Sequence, residues 1–218
     1  MQADLHVHSS HSINKIWGSA CESDPEAIIK ECIKKNIGAV AITDHDSVQG
    51  LTSGKKSAKK HGILFIPGIE VSTNNGHMLA YGVEELIPHN RTAEETIDLI
   101  HGAGGIAVAS HPFNSMYALK SKIYSLKLDG IEVFNSRCGG NAKSLKAAEE
   151  LGLGMTAGSD AHSLKEIGNS LTIFNKNIDS VDSALNAIKK GKTSWKGAST
   201  PYSDIFRASF NLLLSKFR

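Results

Sequence analysis

Apolar runs of strand length recur along this chain, separated by segments of helical periodicity, and run after run stops on histidine, aspartate or glutamate. Alternating strands and helices build parallel sheets with helices packed on their faces. Residues 39–43, Ala-Val-Ala-Ile-Thr, show no polar alternation and read as a strand buried on both faces. Residues 3–8, 63–67, 106–109, 130–134, 154–158 and 171–174 read as further strands, and 69–72 with 78–83 as a strand pair around Asn74-Asn75-Gly76. Helices are expected from Ser23-Asp24-Pro25-Glu26 onward, over 48–60, from Thr92-Ala93-Glu94-Glu95 to about 101, over 142–151 and over 180–189. The Ser23 and Thr92 segments have capping-box spacing. Ile28, Ile29, Cys32 and Ile33 then recur at helical spacing, opposite Lys30, Glu31, Lys34 and Lys35. The tail, about 203–217, is an expected amphipathic helix through Ile205, Phe206, Ser209, Phe210, Leu213 and Phe217. About seven strand-helix units point to an α/β barrel, with an open doubly wound sheet as the alternative. No glycine-rich nucleotide fingerprint follows any strand, which weakens a nucleotide-cofactor reading.

The 218 residues are expected to form one domain, 1–218, with a core that needs no disulfide. A net charge of +2 supplies neither a strong nucleic-acid field nor an acidic solvating surface. Cys21, Cys32 and Cys138 make an odd count without Cys-x-x-Cys spacing, so three free thiols in a reducing compartment are expected. The first residues lack a basic-then-apolar leader, and no apolar run approaches the ~20 residues of a membrane span. A cytoplasmic protein without membrane contact is the expectation.

Ten histidines are many for this length, and their placement is uneven. Asp4, His6 and His8 close the first strand; Asp44, His45 and Asp46 the second. Glu70 follows Pro67-Gly68-Ile69, His77 opens the strand after the turn, and His111, Asn135, Asp160 and His162 lie at later strand ends. In a parallel barrel these ends converge on one face. Imidazole and carboxylate together suit zinc, manganese or iron, and six histidines with one glutamate and one or two of the aspartates are too many for one ion but about right for two or three. His6-x-His8 places both rings on one strand face, and Asp160-x-His162 repeats the spacing. His61, His89 and His101 fall outside this pattern and read as ordinary surface or helix-end residues. Asp44 and Asp46 have a simpler reading as caps of the helix that follows, and Asn135 as a turn residue.

The segments Asp4-Leu5-His6-Val7-His8-Ser9, Ile42-Thr43-Asp44-His45-Asp46, Pro67-Gly68-Ile69-Glu70, His77, Ser110-His111-Pro112 and Gly158-Ser159-Asp160-Ala161-His162 resemble, in order, the motifs of the polymerase and histidinol phosphatase (PHP) family. The resemblance runs from about residue 3 to 200 and favours the stand-alone phosphoesterase branch. It implies a distorted (β/α)7 TIM-like barrel and metal-dependent hydrolysis of phosphoesters. It implies His6, His8, Glu70 and Asp160 on one divalent metal, Glu70 bridging to a second held by His77 and His111, and His45 with His162 on a third. The family's further acidic ligand is absent, since the matching stretch reads Ser12-Ile13-Asn14. His11 is a candidate to replace it from a shifted loop.

Clustered divalent ions would acidify a bound water for in-line attack at phosphorus. Arg137 is the candidate phosphate clamp, since guanidinium matches phosphate oxygens bidentately; a solvated loop arginine is its plain alternative. Lys165 is a lesser candidate, and His11 a candidate substrate contact or general acid. The expected partner is a small phosphorylated metabolite, nucleotide or short oligonucleotide. An exonuclease on longer nucleic acid would want a basic groove with stacking aromatics. The basic run Lys55, Lys56, Lys59 and Lys60 has the helical spacing of a solvated face instead. A non-catalytic metal-binding module would be expected to have lost ligand positions that are present here.

Overall fold

The computed structural model describes residues 1–14, 18–19, 21, 23–176 and 178–215. Lys216, Phe217 and Arg218, at the end of the expected tail helix, lie outside them. In chain order the elements are β1 (Gln2–Val7), β2 (Ile13–Asn14), β3 (Gly18–Ser19), α1 (Pro25–Lys34), β4 (Ala39–Ile42), α2 (Leu51–His61), β5 (Leu64–Ser72), β6 (His77–Tyr81), α3 (Ala93–Gly102), β7 (Ile106–Ala109), a 3₁₀ segment (Lys120–Ser125), β8 (Gly130–Asn135), α4 (Asn141–Leu151), β9 (Gly154–Gly158), β10 (Ser170–Phe174), α5 (Val181–Lys189), β11 (Thr193–Gly197) and α6 (Tyr202–Ser215).

Nine strands form one sheet in the order β11-β10-β1-β4-β5-β6-β7-β8-β9. Adjacent strands run parallel from β1 through β4 to β5 and from β7 through β8 to β9. β6 is antiparallel to both its neighbours, and β10 and β11 extend the β1 edge antiparallel. The sheet curls until β9 meets β1. The seam is the Val7–Ala161 bridge, His8 N–H donating to Ala161 O at 3.0 Å and Asp160 N–H to His6 O at 2.7 Å. The result is a distorted, nearly closed barrel, as expected. Gly158 makes the seam possible: a Cβ there would stand 2.3 Å from His6 Cβ.

β4 and β7 are wholly buried, as continuous apolar runs should be. α1 buries Ile28, Ile29 and Cys32 against Val40, Ile42 and Phe65. Each fully buried aliphatic side chain of this kind stabilises by about 1.5–3 kcal/mol. α5 covers the N-terminal strand ends, with Ile188 against Gly130 and Gly154 and Leu185 against Gly82.

Several boundaries differ from expectation. The α1 cap is Asp24, which accepts from Glu26 N–H at 2.8 Å, and not Ser23. The Thr92–Glu95 box forms in full. The expected strands 63–67 and 69–72 are one strand, β5, because Pro67 and Gly68 continue the extended pairing with β4 and β6. α2 starts at Leu51 with no side-chain cap. Asp44 and Asp46 are occupied elsewhere: Asp44 accepts from Ser9 N–H and Oγ–H at 2.5 and 2.6 Å, and Asp46 from Ser72 N–H at 2.8 Å. β11 was not expected; only its first residue, Thr193, is buried, so it carries little apolar signal. No described helix is long and apolar enough to cross a membrane.

Candidate metal centre

The eight expected ligands meet at one rim of the barrel. His6 and His8 leave the end of β1, and His45 follows β4. Glu70 lies within β5; His111 follows β7; Asp160 and His162 follow β9. His77 opens β6, as expected, and β6 runs backward, which brings its start to the rim. β1 departs from strict alternation here. Leu5 packs with Leu79 and Val108, whereas Val7 packs with Val40 and Ile42 on another side, across a register shift between Asp4 and Val7. Beyond that register shift the Nε2 atoms of His6 and His8 lie 3.2 Å apart.

Glu70, fully buried, is the hub. Its Oε1 lies 3.2 Å from His77 Nδ1 and 3.1 Å from His111 Nε2; its Oε2 lies 3.2 Å from His6 Nε2, 3.4 Å from His8 Nε2 and 3.0 Å from His45 Nδ1. Asp160 Oδ1 lies 3.1 Å from His8 Nε2 and 3.6 Å from both His6 Nε2 and His162 Nδ1. Burial opposes ionisation of Glu70 and Asp160, but the facing imidazoles outweigh it and hold both carboxyls well below their ordinary range. Burial also pushes His45 down and His162 well down, toward the neutral form that ligates metal.

A surrounding layer fixes these groups. Glu132 Oε1 receives His6 Nδ1–H at 2.9 Å, and its Oε2 receives His111 N–H at 2.8 Å and the Asn135 amide at 3.1 Å. Asn135 also donates to Asp160 at 3.2 Å, so it is more than a turn residue. Ser110 Oγ–H donates to Glu70 at 2.7 Å, and Ser12 Oγ pairs with His8 Nδ1 at 3.0 Å. Glu132, Ser110 and Ser12 were not singled out in the sequence. Neither was Cys138, whose thiol groups with His111 and Asp160 as possible ligands. Its three-residue distance from Asn135 was the available signal.

The donor set fits divalent ions. Among the described residues, four triads each place their ligand atoms within 4.8 Å of one another: His8-His45-His162, His6-His8-Glu70 and His45-Glu70-His77, which share residues, and His111-Cys138-Asp160, which shares none with them. Among the described residues, buried His111 Nδ1 has no hydrogen-bond partner, and His45 Nδ1, though 3.0 Å from Glu70, lacks hydrogen-bond geometry. Buried polar atoms in that state are costly without a further partner.

The remaining expectations fall around the cluster. Arg137 is mostly buried and ion-paired with buried Glu166, so it is not a solvated loop residue. Lys165 bonds Asp204 of α6 at 2.6 Å. His11 belongs to none of the four triads; its ring lies beside Gly50 and the Asp44 carboxylate. Ile13, at the missing acidic position, is half exposed. His89 is exposed, His61 ends α2, and His101 pairs with Asp129 at 2.7 Å.

Known proteins resemble this chain in sequence and in fold. Residues 139–193 match the family model described as PHP-associated. An uncharacterized protein of Methanocaldococcus jannaschii is 40% identical over 141 residues, covering 62% of this chain and 82% of its own. A phosphoribosyl 1,2-cyclic phosphate 1,2-diphosphodiesterase of Eggerthella lenta is 33% identical over 95 residues, 40% of this chain and 33% of that protein. A two-domain Bacteroides vulgatus structure, described as containing a predicted PHP-like metal-dependent phosphoesterase, superposes with a TM-score of 0.76 at 19% identity, over 97% of this chain and 69% of that one.

Proposed function

The chain belongs to the polymerase and histidinol phosphatase (PHP) family, and we propose that it is a metal-dependent phosphoesterase acting on a small phosphorylated metabolite, nucleotide or short oligonucleotide. The observation that carries this is Glu70, which turns one oxygen to His6, His8 and His45 and the other to His77 and His111. That is the arrangement of a bridging carboxylate.

In this reading His6, His8, Glu70 and Asp160 hold one ion, Glu70, His77 and His111 another, and His45 with His162 a third, with Cys138 within reach of His111 and Asp160. Two or three zinc, manganese or iron ions would, when bound, acidify water and offset charge on the phosphate oxygens. The chain's own part is to hold the ligands in place. Glu132 fixes the His6 tautomer, Ser110 fixes Glu70, and Asn135 fixes Asp160. Arg137 would meet a phosphate oxygen, with Glu166 holding its guanidinium in place. An exonuclease on longer nucleic acid is the alternative reading of the same site.

The test is a substrate screen on chelated protein and on protein reloaded with manganese, zinc or iron. Nucleoside monophosphates, 3′,5′-bisphosphates, histidinol phosphate and short oligonucleotides should be compared. Turnover of at least one ester, present only after reloading, is the expected result. Turnover that survives exhaustive chelation, or none at all with ions bound, overturns the reading.

A further inference from the structure

The side chains of His45, His77 and His162 retain exposures of 20%, 12% and 18%, against 0% for His6, His8 and Glu70. The cluster therefore opens to solvent on their side. At that opening Tyr117 lies flat on His77, with ring centroids 5.1 Å apart and planes within 10°. One face of the tyrosine ring covers the imidazole. The residue is nevertheless 67% exposed, and its neighbour Met116 63%.

The segment that displays Tyr117 is firmly held. Tyr117 O accepts His77 N–H at 2.9 Å, and Lys120 N–H donates to Pro112 O at 2.7 Å. Ala118 and Leu119 are buried immediately after the ring. Gly76 lets them pass, since a Cβ there would lie 2.6 Å from Ala118 C and Leu119 N. Tyr117 itself has φ +53, a left-handed conformation that a bulky side chain rarely adopts. Backbone strain of this kind clusters at active sites and ligand clamps.

Resting on the phosphoesterase reading above, we propose that Tyr117 is a specificity-determining residue: its outer face stacks a planar ring of the substrate, such as a nucleobase, while the attached phosphate lies at the cluster. A substrate without such a ring would gain nothing from it. Base–aromatic stacking contributes about 1–3 kcal/mol per base, so losing it should raise KM roughly tenfold.

The experiment compares adenosine 5′-monophosphate with ribose 5-phosphate, which carries a hydroxyl in place of the base, on metal-loaded wild type, Tyr117→Ala, Tyr117→Phe and Tyr117→Trp, with metal content measured for each. A second readout is saturation-transfer NMR of adenosine on metal-stripped protein, which needs no turnover. The expected result is about a tenfold higher KM for the adenosine ester alone in Tyr117→Ala, little change in kcat, restoration by Phe and Trp, and loss of the base-proton signals in Tyr117→Ala. Equal effects on both esters, a fall in metal content alone, or undiminished adenosine signals would overturn the proposal and leave Tyr117 as a cover for His77. If wild type hydrolyses neither ester nor any other in the screen, the phosphoesterase reading fails, and the adenosine signals alone decide the platform.

Discussion

Glu132 accepts the Nδ1–H of His6 at 2.9 Å, which turns His6 Nε2 toward Glu70 and Asp160. The two residues are 126 positions apart. A carboxylate that orients a ligating imidazole typically accounts for about 10–100-fold in metal affinity or activity. Glu132→Gln should weaken metal retention within that range while the fold persists. Competition with a graded chelator measures it; unchanged retention would remove Glu132 from the site.

Glu70 should be less forgiving. Its oxygens serve five imidazoles, so Glu70→Ala should abolish turnover and lower the bound-metal count together. Elemental analysis beside an assay checks this. Full turnover in the variant would refute a bridging role.

The seam of the barrel constrains the site sterically. Gly158→Ala would drive a methyl group into His6 Cβ, 2.3 Å away. Overpacking of this sort costs about 1–3 kcal/mol, and here it would also displace a ligand. A lower urea midpoint and a lower metal content are expected together.

Arg137 combines binding with structure. Its partner Glu166 is buried and also receives Ser163 Oγ–H at 2.7 Å. Arg137→Ala alone should cost about 3–5 kcal/mol, because it strands that carboxylate. In the Arg137→Ala/Glu166→Gln pair much of the stability should return. If Arg137 meets phosphate, KM should stay elevated in the pair; a wild-type KM there would make Arg137 purely structural.

Asp4 supplies a pH dependence. Burial raises its carboxyl from 3.8 to about 6, against the hydrogen bonds from Ser159, Gly168 and His6. The folded state then binds the proton more tightly than the unfolded state. The contribution is complete below about pH 4 and is lost as pH rises through about 6, worth about 3 kcal/mol by linkage. In metal-stripped protein, wild type should lose stability relative to Asp4→Asn between pH 4 and pH 7. A constant difference in urea midpoints would show that Asp4 titrates normally.

The residue types of the metal cluster, the parallel strand runs and the Thr92–Glu95 cap were legible in the sequence, because each depends on local periodicity or on hydrogen bonds a few residues apart. What holds the cluster in place was not. Glu132 meets His6 across 126 positions, Ser110 meets Glu70 across 40, and Cys138 reaches Asp160 across 22. Such pairings leave no spacing to read. The β1 register shift, the reversed β6 that brings His77 to the rim, and Tyr117 over His77 likewise exist only once the sheet has curled shut. Sequence determined which groups were available to bind cations; tertiary closure decided their distances, and those distances set the chemistry.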